Sequence, residues 1–161
     1  MFPAVKCCYY LSLRNGCIFI ALFGIFCSGL NIEFILSILN NYPPIQRKYV
    51  FTDDPNGACQ LASEFVMMLA SIILLISTMV KWSFLIIVYV VIAALQTLYL
   101  LIYSIVSCIM SINVIANFSL SACIAYWLWV VLSFGTSPYF IYIAISYYKL
   151  KTSEDNVETV P

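Results

Sequence analysis

Two carboxylates, Glu33 and Glu64, sit inside long apolar runs of this 161-residue chain. A charge in hydrocarbon costs about 3 kcal/mol unless it is paired, hydrated or protonated. No Lys or Arg shares an apolar run with either residue. Glu33 stands near the end of the first run and Glu64 near the start of the second, so an antiparallel pair of helices would hold them at similar depth. That arrangement suits an ion or proton site between two spans. The plainer reading is that both reach the interface, or bond to a neutral neighbour such as Asn31. Other chemistry is poorly provided for. The chain contains no His, no Cys-x-x-Cys pair, no nucleophile elbow and no phosphate-cradling glycine loop. The expectation is a protein without a catalytic site, metal or cofactor. A net charge of zero, with no dense basic patch, gives nucleic acid nothing to hold.

The cysteines divide by position. Cys7 and Cys8 are adjacent and precede the first run, which suits S-palmitoylation. Cys17, Cys27 and Cys123 read as small apolar residues within spans. Cys59 and Cys108 both fall near the outer side, where a disulfide would tie the first loop to the helices if geometry permits.

The elements that position these groups follow from charge. Globular chains keep about a quarter of their residues charged, and this one has 9%. Between Lys81 and Lys149 there are 67 residues with no Asp, Glu, Lys or Arg. A transmembrane helix takes about 20 apolar residues. Four spans are expected, at 17–39, 60–80, 82–110 and 118–148. A segment at 1–16 precedes them, loops at 40–59 and 111–117 connect them, and a tail at 149–161 is read as disordered. The first apolar run is 23 residues, against about 7–15 for a signal-peptide core, so it is expected to remain as a span. Basic residues favour the cytoplasmic side. Lys6, Arg14, Lys81, Lys149 and Lys151 would lie inside, leaving only Arg47 and Lys48 outside. The fold expected is an all-α integral membrane four-helix bundle with both termini cytoplasmic.

Span two carries a heptad of small and polar residues. Ser63, Ala70 and Ser77 form one stripe, with Glu64, Ser71 and Thr78 beside it. Residues seven apart share a helix face, and small side chains let helices approach closely in lipid. This face is read as the packing seam, with lining of a polar cavity as the functional alternative. Gly24/Ser28, Ser107/Ser111 and Ser121/Ala125 are weaker signals of the same kind, and Gln96 is expected to bond across to another helix. Gly135 and Pro138 favour a kink in span four. Tyr147 and Leu150 match a tyrosine-x-x-bulky sorting pattern close to the membrane surface, and Asn117-Phe118-Ser119 is a glycosylation sequon equally close to it.

The run Cys7-Cys8-Tyr9-Tyr10-Leu11-Ser12-Leu13-Arg14-Asn15-Gly16 resembles the opening of a four-span group. That group joins the lysosome-associated protein transmembrane (LAPTM-type) family to insect four-span proteins of the Pasiflora type. Ser12, Arg14 and Gly16 match its Ser-Leu-Arg-x-Gly motif, with Asn15 standing where Thr is usual. The motif covers about ten residues; length and span number are the remaining likeness. The resemblance implies a septate-junction-like component for one branch and an endolysosomal trafficking adaptor for the other. The Pro-rich tyrosine motifs of the adaptor branch are absent from this tail, and its one Pro-Pro pair, Pro43-Pro44, lies on the outer side. Paired first-loop cysteines of the claudin kind are absent too. The reading is therefore a junctional scaffold or assembly factor in the lateral plasma membrane. Its partners would be the lipid bilayer and other membrane or junction proteins, or a homo-oligomer. The alternatives are the endolysosomal adaptor and a small transporter or channel subunit using Glu33 and Glu64.

Overall fold

The computed structural model describes residues 12–41, 56–80, 82–113 and 115–158. They form four helices: α1 (Leu13–Asn41), α2 (Asn56–Met79), α3 (Phe84–Ile109) and α4 (Leu120–Glu158). The fold is all-α, and each helix is long and apolar enough to cross a membrane. Large apolar side chains such as Phe26, Leu95, Leu128 and Val131 are exposed on the outside of the bundle. In water such a surface would drive aggregation, and in a bilayer it is the solvated surface.

The helices stand in chain order around a ring, with contacts α1–α2, α2–α3, α3–α4 and α4–α1. The first of these is the most extensive. Close approach explains it, because a Cβ placed on Gly24 would fall on the Ser71 hydroxyl. Ala70, Ser71, Ser77 and Thr78 are buried, as is Ser28. The stripe on α2 is thus a packing face, with its hydroxyls turned back onto their own helix: Ser71 Oγ donates to Met67 O at 3.0 Å and Ser77 Oγ to Leu74 O at 2.6 Å. Ser121 and Ala125 are exposed.

Three helix ends differ from the sequence expectation by more than two residues. α1 begins at Leu13 rather than 17, because Ser12 caps it: its Oγ accepts from Asn15 N at 3.3 Å and its carbonyl accepts from Gly16 N at 2.9 Å. Arg14 and Gly16 therefore lie in the first turn of the span. Leu13, Gly16 and Cys17 are buried there, while Arg14 is exposed. α2 begins at Asn56, which makes Cys59 helical. α4 runs unbroken through Gly135 and Pro138 and continues to Glu158, so the tail from 149 is helix and not disordered up to that residue. Two anchors hold it in place. Tyr147 is buried, and Lys151 Nζ donates to Ser77 O at 2.8 Å and to Val80 O at 2.6 Å, closing the end of α2. The Cys7 and Cys8 site, most of the first loop, Lys81 and the last three residues lie outside the described residues.

The link between α3 and α4 is tightly built. Ser111 takes a left-handed conformation (φ 55°), while Ile112 N donates to Ser107 O at 2.9 Å and Ser111 N to Cys108 O at 3.2 Å. This is a Schellman ending, in which glycine is usual at the left-handed position. Buried Asn113 then receives Ile115 N and Ala116 N on its Oδ1, at 3.1 and 2.9 Å, and donates to Ser107 Oγ at 3.0 Å. Ser119 caps α4 through Ala122 N at 3.2 Å. The sequon residues are therefore engaged in the turn: Asn117 Nδ2 donates to Ser111 O at 2.5 Å.

Candidate functional site

Two apolar clusters occupy the ends of the bundle. At the end holding the start of α1 and the end of α4, Cys17, Ala21, Leu74, Ile86, Tyr89 and Ile143 close on one another. At the opposite end, Ile35, Ile38, Ile115, Ala122, Tyr126 and Val130 form a smaller cluster. Between the second cluster and the middle of the bundle lies a cavity of about 220 Å³.

Side chains from all four helices build this cavity. α1 contributes Asn31, α2 Gln60, Ser63 and Glu64, α3 Tyr99 and Tyr103, and α4 Tyr126 and Trp129. Gln60 and Glu64 are four apart on one face of α2, which brings them to the same space. Asn31 Nδ2 donates to Glu64 Oε1 at 3.2 Å. Gln96 Nε2 donates to Ser63 O at 3.0 Å, tying α3 to α2 beside the carboxylate. Tyr99 and Tyr103 stack at 5.5 Å, and the Tyr126 hydroxyl shares a 2.7 Å bond with Ser104 Oγ. A smaller cavity of about 80 Å³ adjoins the first; Glu64, Leu100 and Trp129 line both.

Gln60 is the unsatisfied member. Its side chain is 5% exposed, and neither its amide nitrogen nor its oxygen has a hydrogen-bond partner. The Tyr126 hydroxyl faces it but is held by Ser104. Leaving such a group unsatisfied costs about 1–3 kcal/mol.

The sequence-selected residues separate. Glu64 belongs to the cavity. Glu33 does not: it is exposed on the outside of α1, in a shallow recess with Gly29, Ile32, Leu36, Ser37 and Asn40. A two-carboxylate site between α1 and α2 is therefore corrected to a single interior carboxylate bonded to Asn31. Cys59 and Cys108 are both free thiols, not a disulfide. Cys59 is exposed on α2, whereas Cys108 packs towards the cluster around Tyr126 and Trp127. Tyr147 is buried in the other cluster with the Lys151 Nζ 6.0 Å from its ring centre, so a sorting signal there would have to unpack the core. Gly24 and Ser28 take the packing role expected of them. Sequence reasoning missed Gln60, Tyr99, Tyr103, Tyr126 and Trp129; the i, i+4 pairs Gln60/Glu64 and Tyr99/Tyr103 were the available signal. Among the described residues no cluster of metal-ligating side chains exists.

No protein-family model matches the chain, and no curated protein or solved structure does.

Proposed function

We propose that the protein is a non-enzymatic four-span membrane component that acts by lateral and extracellular contact, as a scaffold or assembly factor of a cell junction. The observation that supports this reading is the outward face of α1. Gly29, Glu33 and Ser37 are spaced four apart and line a recess on the outside of the bundle, a surface made largely of exposed Leu, Ile, Val and Phe. A Cβ on Gly29 would meet nothing within 4 Å. A small residue, a carboxylate and a hydroxyl in one row fit a neighbouring helix better than lipid tails, because small residues admit close approach and polar side chains find partners there. The neighbour would be another junction protein or a second copy of this chain, in the lateral plasma membrane. The Ser12–Gly16 resemblance to the Pasiflora branch agrees with that assignment.

The test is where the full chain, carrying a small C-terminal tag, sits in a polarised epithelium. A lateral band that disperses in Gly29→Phe or Glu33→Leu variants supports contact through this face. Punctate signal within lysosomes would refute the junctional reading.

A further inference from the structure

We propose that the cavity between Asn31, Gln60, Glu64 and Trp129 is a binding site for an organic ammonium group. Three observations carry this. The cavity is lined by all four helices and holds about 220 Å³, room for several waters of about 30 Å³ each but less than the ~300 Å³ at which drug-sized sites begin. Its polar groups converge and leave capacity open: Glu64 accepts one hydrogen bond, from Asn31 Nδ2 at 3.2 Å, and the buried Gln60 amide has no partner in bonding geometry. Five aromatic residues, Phe34, Tyr99, Tyr103, Tyr126 and Trp129, line it among a few aliphatic ones.

The donor set selects the class of ligand. Calcium takes six to eight oxygens and magnesium a near-octahedral shell, and one carboxylate with two amides cannot supply either. An alkylammonium asks for less: one opposite charge, and aromatic faces within about 6 Å of the cationic carbons. Glu64 provides the charge, the tyrosines and Trp129 the faces, and Gln60 Oε1 accepts from any N–H or O–H the ligand carries. Phe34, Tyr99 and Ala125 line the cavity and are themselves exposed, so its rim lies between helices. The ammonium could arrive on a free solute or on the headgroup of a choline lipid; the chemistry of the site is the same.

The site is tested with the purified full chain in a maltoside detergent, titrated calorimetrically with tetramethylammonium and choline chloride against sodium chloride at equal ionic strength. Saturable binding of the organic cations is expected, at least tenfold weaker in Glu64→Gln and several-fold weaker in Gln60→Leu. Repeating the titration in phosphatidylglycerol and phosphatidylcholine nanodiscs separates the sources. Binding of free choline in both assigns a solute, and its suppression in phosphatidylcholine alone assigns the headgroup. No saturable heat beyond that of sodium, or unchanged affinity in a folded Glu64→Gln protein, overturns the proposal. If Glu64→Gln fails to fold, Ala125→Trp at the exposed rim carries the test, and full affinity in that variant overturns it equally. The result stands apart from the junctional reading, which depends on the opposite face of α1.

Discussion

In the half of the bundle that holds the start of α1 and the end of α4, α1 and α2 meet with only the hydrogen of Gly24 against Ser71. The hydroxyls of Ser71, Ser77 and Thr78 there bond to their own backbones. In the other half the same helices line a cavity of about 220 Å³. Glu64 is half-buried on one hydrogen bond, Gln60 buried on none, and Ser111 bears a left-handed backbone that glycine would adopt more easily. The first half is arranged for cohesion. The second carries local costs that packing alone would not select, and such costs collect where a protein binds something.

Relieving the costly residues of the second half should therefore have the opposite sign to disturbing the packed residues of the first. The largest effect is expected from Gly24→Leu, which must push α1 off α2 and should destabilise the bundle by about 3 kcal/mol, read as thermal unfolding in detergent. Gly24→Ala should be milder, and adding Ser71→Ala should recover part of the loss, since it removes the hydroxyl that the new Cβ meets. In the other half, Glu64→Gln keeps an acceptor for Asn31 while removing the interior charge. It should raise stability by about 1–2 kcal/mol as it abolishes ammonium binding, and a fall in stability would contradict the comparison. Ser111→Gly should stabilise by up to about 1 kcal/mol by relieving the left-handed residue.

Smaller losses sharpen the contrast further. Tyr126→Phe removes the bond to Ser104, worth about 0.6 kcal/mol for a typical hydrogen bond between membrane helices. Ser104 keeps its 2.6 Å bond to Leu100 O. Lys151→Met should cost about 0.5 kcal/mol and show itself mainly as faster amide exchange at the last turn of α2, whose Ser77 and Val80 carbonyls lose their donor.

Much of this architecture was legible in the chain. The charge-free stretch, the heptad on α2 and the lone mid-span Gln96 led to four spans, a buried α2 face and a cross-helix bond. The two carboxylates misled because depth was read and azimuth was not. Asn31 and Glu33 are two residues apart, about 200° around a helix, so an inward Asn31 that bonds Glu64 sends Glu33 outward. The aromatic wall was hidden for another reason. Tyrosine and tryptophan in a span read as core or interface, and only the pairing of α3 with α4 brings Tyr103, Tyr126 and Trp129 to one space. The end of α4 was misread because acidic residues at a helix C-terminus oppose its dipole, while the anchor that outweighs them, Lys151 on α2, is a contact between residues more than seventy positions apart.

The 39 residues of α4 form one helix about 58 Å long, nearly twice the ~30 Å of a hydrocarbon core. Pinned by Lys151 where it passes α2, it behaves as a mast stepped into a hull. Whatever is fused to its far end turns when the bundle turns and leans when the bundle leans. A fluorophore fixed rigidly near residue 158 would thus report tilt and rotation of the whole molecule by polarised emission, and sideways tension on that residue would be levered through Lys151 onto the last turn of α2.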